Sequence, residues 1–199
     1  SSMGLLIWQD GVFGTLDDIF SVRKQNMAFD NFLYAGYEAY ASMTLTDDPM
    51  FQGYLRRIAE EDFTFAMEKF QKEGYDKFVQ PYEHTYNTSK SQYMATISWS
   101  ASQLYRLTGN EKYAKWAVEY IQYVMDCQRT VPLNDKDRTC GFFYRDKERK
   151  SIVHYIHQSR EQVYMQALVL LCETQQQHPQ RTQWVESIRL YADYLKGLM

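Results

Sequence analysis

Several kinds of residue and pattern are scarce or missing in this chain, and each gap excludes a class of protein. Cysteine occurs three times, as Cys127, Cys140 and Cys172, an odd number without CxxC spacing. These read as free thiols rather than a disulfide framework or a zinc site. No run of Lys and Arg and no basic stripe is present, and the net charge is −3, which argues against nucleic acid as a partner. No apolar stretch approaches the roughly 18 residues that a membrane-spanning helix needs. No signal peptide is legible behind Ser1-Ser2-Met3-Gly4, and that leaves the compartment of the protein open. A Gly-rich phosphate loop, a GxSxG nucleophile elbow and a Cys–His dyad are all missing.

What remains is the composition of a folded globular chain with an excess of rings. Of 199 residues, 45% are hydrophobic and 24% charged, close to an ordinary globular balance. Aromatics reach 16%, with 17 Tyr, 11 Phe and 4 Trp. Rings can fill a large helical core, or they can stack on sugars and other flat ligands. Composition leaves both readings open, with the core the simpler one.

A helix pair recurs three times. Tight turns at Leu45-Thr46-Asp47-Asp48-Pro49, Leu107-Thr108-Gly109-Asn110-Glu111 and Gln177-His178-Pro179-Gln180 each follow an apolar helix and precede a more charged one. The periodicity predicts inner helices over 26–43, from 89 to about 106 and from 159 through 172, rich in apolar and small residues nearly all round. Outer helices follow over 49–72, 111–128 and 180–196, each with a charged face. Caps mark the starts: Asp48 with Pro49 at the first helical position, Asn110, and the capping boxes Ser89/Gln92 and Ser159/Gln162. The fold expected is all-α, three consecutive helical hairpins (26–72, 89–128 and 159–197) forming half of an (α/α)6 toroid-like arrangement. It makes a single domain over 1–199, with 1–25 as an N-terminal extension.

The tight turns occupy one rim, so the long connectors 74–88 and 129–158 lie at the other. Loops of that length in a compact domain are commonly functional. Their rings (Tyr75, Phe78, Tyr82, Tyr86, Phe142, Phe143, Tyr144, Tyr155) suit the ordered lips of a cleft. The N-termini of all three inner helices point to this rim, where free backbone N–H groups and helix dipoles favour anionic or oxygen-rich ligands. The densest polar cluster of the chain falls there: His154-Tyr155-Ile156-His157-Gln158-Ser159-Arg160-Glu161-Gln162. His154, Tyr155, His157 and Arg160 are candidate ligand-binding residues, able to meet hydroxyl groups with paired donors and acceptors. Gln92 and Tyr93, at the start of the second inner helix, reach toward the same cleft.

Catalytic candidates are thinner. Glu161 could accept from a hydroxyl or position a water, or it could serve only the helix dipole, with Arg160 ion-paired to Asp146 or Glu148. Asp30, in an otherwise apolar helix, could act as an acid with a raised pKa, and Asn26 lies close by. Glu38, two turns on, ranks below it, and hydrogen bonding to a Tyr hydroxyl is the simpler role for either carboxylate. Asp17-Asp18 reads as a helix start. A third ligand to join the two His is not evident, so no metal and no cofactor is expected.

The segment Gly141-Phe142-Phe143-Tyr144-Arg145-Asp146, followed by His154-x-x-His157-x-x-Arg160-Glu161-Gln162, resembles the six-hairpin glycosidases, closest to glycoside hydrolase family nine and its cellulase-like relatives. The turn Ala101-Ser102-Gln103-Leu104-Tyr105-Arg106-Leu107-Thr108-Gly109-Asn110-Glu111-Lys112-Tyr113 is similar to turns of many such toroids. The resemblance implies a carbohydrate ligand, sugar subsites lined by His154, His157 and Arg160, and a secreted or periplasmic setting. It also implies hydrolysis by a pair of carboxylates, whose aspartate motif has no counterpart here. A full toroid needs six hairpins and this chain has three, so its open edges would be covered by a second copy, a partner chain or a missing half. A sugar epimerase or unsaturated-uronide hydrolase using His154 or His157 is the enzymatic alternative. A non-catalytic helical-repeat binding module is the other.

Overall fold

A computed structural model describes residues 2–7, 19–24, 27–45, 47–75, 89–153 and 161–197. Six helices run in order: α1 (Ala28–Thr44), α2 (Pro49–Glu73), α3 (Lys90–Thr108), α4 (Glu111–Asp126), α5 (Gln162–Thr174) and α6 (Arg181–Gly197). They pair as three antiparallel hairpins, α1–α2, α3–α4 and α5–α6, as the turn spacing predicts. Ahead of them, within the segment read as an extension, β1 (Ser2–Ile7) pairs antiparallel with β2 (Ile19–Lys24), with Leu6 opposite Phe20. The helix-centred sequence reading assigned no strand there.

Local chemistry sets the helix ends. Asp48 accepts from the N–H groups of Met50 and Phe51 at 3.0 Å, and Pro49 opens α2. Gly109 takes a left-handed φ of 68° to end α3, and Asn110 at once caps α4 by accepting from Lys112 N–H. In the third tight turn the His178 ring stacks on Trp184 at 4.8 Å.

The hairpins lie in two rows. In the inner row α3 sits between α1 and α5, and every residue from Ser91 to Leu104 is buried. Small residues permit this closeness. A side chain at Gly36 would collide with the Trp99 ring, and Ser100 Oγ donates to the carbonyl of Phe32. In the outer row, Phe63 of α2 packs against Tyr113 and Trp116 of α4. Its solvent side carries exposed ion pairs such as Arg57–Glu61, worth little individually. The open face of α1 exposes Tyr34, Tyr37 and Tyr40. No helix among the described residues is long and apolar enough to cross a membrane.

Candidate functional site

The starts of the inner helices share one rim. Phe29 of α1 meets Tyr93 of α3 at 5.3 Å, and Ser91 of α3 meets Tyr164 of α5 at 2.7 Å. The capping box of α3 forms as its sequence predicts: Ser89 Oγ accepts from Gln92 N–H, and Gln92 Oε1 accepts from Ser89 N–H at 3.0 Å. Ser91 N–H donates to the Arg145 carbonyl at 2.9 Å, and Ser91 Oγ–H donates to the Tyr144 carbonyl at 2.8 Å. The single hydroxyl proton of Ser91 is thereby committed, so Tyr164 O–H is the donor in the Ser91–Tyr164 bond. Burial pushes the Tyr164 phenol above its ordinary pKa. These contacts correct one expectation about the rim. The first-turn N–H groups of Ser91 and Gln92 are taken by protein acceptors and are not open to a ligand.

The connector between α4 and α5 folds back against this rim as far as it is described. Its rings serve the core instead of forming lips: Phe142, Phe143 and Tyr144 are buried, and Phe143 stacks on Tyr164 with centroids 4.3 Å apart. Two anchors hold it. Gln128 Nε2 donates to the carbonyls of Gly141 and Ser187 at 2.9 Å each, while Ser187 Oγ donates to Gln128 Oε1 at 2.6 Å. Gly141, at φ 98°, lies so close to α6 that a Cβ there would run into the Leu190 carbonyl. A groove of about 420 Å³ between α4 and α6 includes Gln128 and Ser187, but their polar atoms already serve one another and Gly141.

The start of α5 is built differently. The helix is described from Gln162 on, and Ser159 of the expected Ser159/Gln162 box lies outside the described residues. Glu161 occupies the cap position with helical angles (φ −58°, ψ −26°) and makes no side-chain cap bond. Only 6% of Glu161 is exposed. Its Oε1 is buried without a partner. Burial raises its pKa from 4.5 to about 7, and the nearby Tyr191 hydroxyl of α6 lowers it by less. The neighbouring phenols Tyr164 and Tyr191 are themselves shifted upward, by burial first.

Other sequence candidates fall as follows. Gln92 is spent in the capping box, and Tyr93 is 1% exposed within a ring cluster of Phe29, Phe32, Phe70 and Tyr75. Asp30 lies part-buried in the first turn of α1. Burial and then the Asp62 charge raise Glu38, ranked below it, to about 7, and its Oε2 is unpartnered. His154, Tyr155, His157, Ser159 and Arg160 lie outside the described residues, as do Asn26 and Asp17-Asp18. The flanks of that segment are placed: Val153 N–H donates to the Phe143 carbonyl at 2.9 Å, and Glu161 is buried at the start of α5. Sequence reasoning missed Ser91, Tyr164 and Tyr191, whose helical spacing reads only as core. Among the described residues, no three His, Cys, Asp or Glu side chains gather as a metal site.

Compared with family models, curated proteins and solved structures, the chain matches none of them.

Proposed function

We propose that this protein binds an oligosaccharide or polysaccharide at the rim formed by the starts of α3 and α5, in the manner of a glycoside hydrolase of the six-hairpin type. The observation that carries this reading is the buried, incompletely paired Glu161 carboxyl. It stands on the same rim as the hydroxyls of Ser89, Ser91, Tyr164 and Tyr191. A core does not keep such a concentration of polar atoms without cost, and sites that handle hydroxyl-rich ligands do. The segment that joins Val153 to Glu161 bears His154, Tyr155, His157 and Arg160, the residues that the glycosidase resemblance gives to sugar subsites. Gln92 and Tyr93 support the rim from inside rather than touching sugar. Glycosidic hydrolysis would need a second carboxylate across the bond from the first. The function proposed is therefore binding, with turnover dependent on a carboxylate pair supplied together with this rim. The tyrosine face of α1 is the edge that a second copy or partner chain would cover.

Titration calorimetry with cellohexaose, xylohexaose and chitohexaose tests the reading. At least one is expected to bind, and replacing His154, His157 and Arg160 together by Ala should weaken it at least tenfold while leaving the helical circular-dichroism signal unchanged. Binding of none of the sugars, or binding indifferent to the triple replacement, would sink it.

A further inference from the structure

The row of three hairpins has two ends. In the inner row α3 receives α1 on one flank and α5 on the other, whereas α1 and α5 each meet one inner neighbour among the described residues. Stacked helical repeats normally finish such ends with a polar face, since an end hairpin lacks the neighbour that would bury its flank. Here both ends are apolar. On the first, Tyr34 and the cap residue Leu45 continue α1, and Phe51, Ile58 and Phe65 recur at sevenfold spacing along α2. Tyr34, Leu45, Phe51 and Phe65 are between 38% and 59% exposed. On the last, Val169 of α5 and Val185 and Leu195 of α6 are exposed, with Ile188 half-buried in the same α6 stripe. The α6 ion pairs of Arg189 with Glu186 and Asp193 lie beside that stripe.

The two ends are complementary by construction. The free flank of α1 corresponds to the flank that α3 turns to α1, and the free flank of α5 to the one that α3 turns to α5. A junction of the last hairpin of one copy with the first hairpin of another therefore repeats the two junctions already inside the chain. Size supports the same occupant. With about 200 Å² for a whole ring side chain, one such junction covers on the order of 650 Å² of apolar surface. Two junctions cover on the order of 1,300 Å², within the range of stable specific interfaces. The first end pairing with itself would leave the α5–α6 end bare.

We propose that two copies of this chain close a ring of six hairpins about a two-fold axis, the α5–α6 end of each seated on the α1–α2 end of the other. The closure also bears on the rim. Inside the chain the first turns of successive inner helices touch, Phe29 with Tyr93 and Ser91 with Tyr164. The new junction continues that pattern and sets the first turn of α1 of the second copy, which holds Asp30, beside the start of α5 and Glu161. The rim thereby gains a second carboxylate from the other chain. This consequence rests on the saccharide reading above; the ring itself does not.

Sedimentation velocity of the full chain over a concentration series tests the ring. One species of twice the chain mass is expected, without a ladder of larger ones. Val169→Glu with Val185→Glu, and separately Phe51→Glu with Phe65→Glu, should each weaken self-association at least tenfold while leaving the helical circular-dichroism signal unchanged. Where a Glu pair unfolds the chain, Ser at the same positions replaces it. An equal mixture of the two variants retains one intact junction and should form dimers that neither forms alone. A monomeric wild type or a ladder of oligomers would overturn the ring. So would a dimer indifferent to the Val169 and Val185 replacements, or a mixture that stays monomeric. Cellohexaose affinity is measured alongside and should fall at least tenfold in both edge variants. A dimer that binds no sugar leaves the ring standing and removes the saccharide reading, and a monomer that binds it does the opposite. Equal affinity in the wild-type dimer and the edge variants would overturn the contribution of the second chain to the rim.

Discussion

The starts of α3 and α5 lie side by side on one rim, yet they solve the problem of a helix N-terminus in opposite ways. At α3, Ser89 and Gln92 cap each other's backbone, and Ser91 is bonded both to the connector and to Tyr164. At α5, a carboxyl stands where a cap would be and lies buried near Tyr191, with one oxygen unpartnered. One start is saturated with hydrogen bonds and indifferent to pH; the other is undersatisfied and titratable.

The largest effect that would break this contrast is expected from Glu161→Gln. The Glu161 pKa is higher in the folded chain than its ordinary value. The native state therefore holds the proton longer, and stability falls as pH rises from 4.5 to about 7, then levels off. At pH 8 the Gln variant should be more stable by up to about 3 kcal/mol, with the gap closing as pH falls toward 4. Urea unfolding at several pH values checks this, and a wild-type stability that is level across that range would contradict it. Next comes Ser91→Ala, which takes the hydroxyl donor from the Tyr144 carbonyl and leaves the Tyr164 hydroxyl only the longer 3.5 Å contact with Ser89, and should cost about 2 kcal/mol at every pH. Ser89→Ala removes the cap and half of the box and should cost about 1 kcal/mol, read as a lowered thermal midpoint. A strong pH dependence of either loss would count against a pH-indifferent start of α3. The smallest change sharpens the contrast elsewhere. Glu38→Gln on α1 should stabilise the chain at pH 8 in the same direction as Glu161→Gln. Partial exposure of Glu38 screens the effect to below about 1 kcal/mol, visible as a shallower stability–pH slope.

How far the sequence was legible follows the range of each interaction. Asp48, the Ser89/Gln92 box, Gly109 and Asn110 act within a few residues, so pattern alone located four helix boundaries and three hairpins. The Ser159/Gln162 pattern falls partly outside the described residues, and the feature described at the start of α5 is the Glu161 carboxyl, buried near Tyr191. That phenol lies 30 residues further on, in another helix, and nothing in the spacing announces it. The ring-rich connector misled for a related reason: Phe143 and Tyr144 have a lip's composition but a core's position, set by Tyr164 and Gln128. The sequence ranks Glu38 below Asp30, and spacing does not announce that burial first, and then the charge of Asp62 on α2, raise the Glu38 carboxyl to about 7.

The paired anchors at Gln128 and Gly141 also bear on how the chain can be re-engineered. Between them the backbone runs out to a solvent-exposed tip, where the Asn134 side chain accepts from the N–H groups of Lys136 and Asp137. Both ends of this excursion are tied to α6, so the two ends stay close together without the covalent path between them. A break or an inserted reporter domain between Asp135 and Lys136 should thus leave the hairpins assembled.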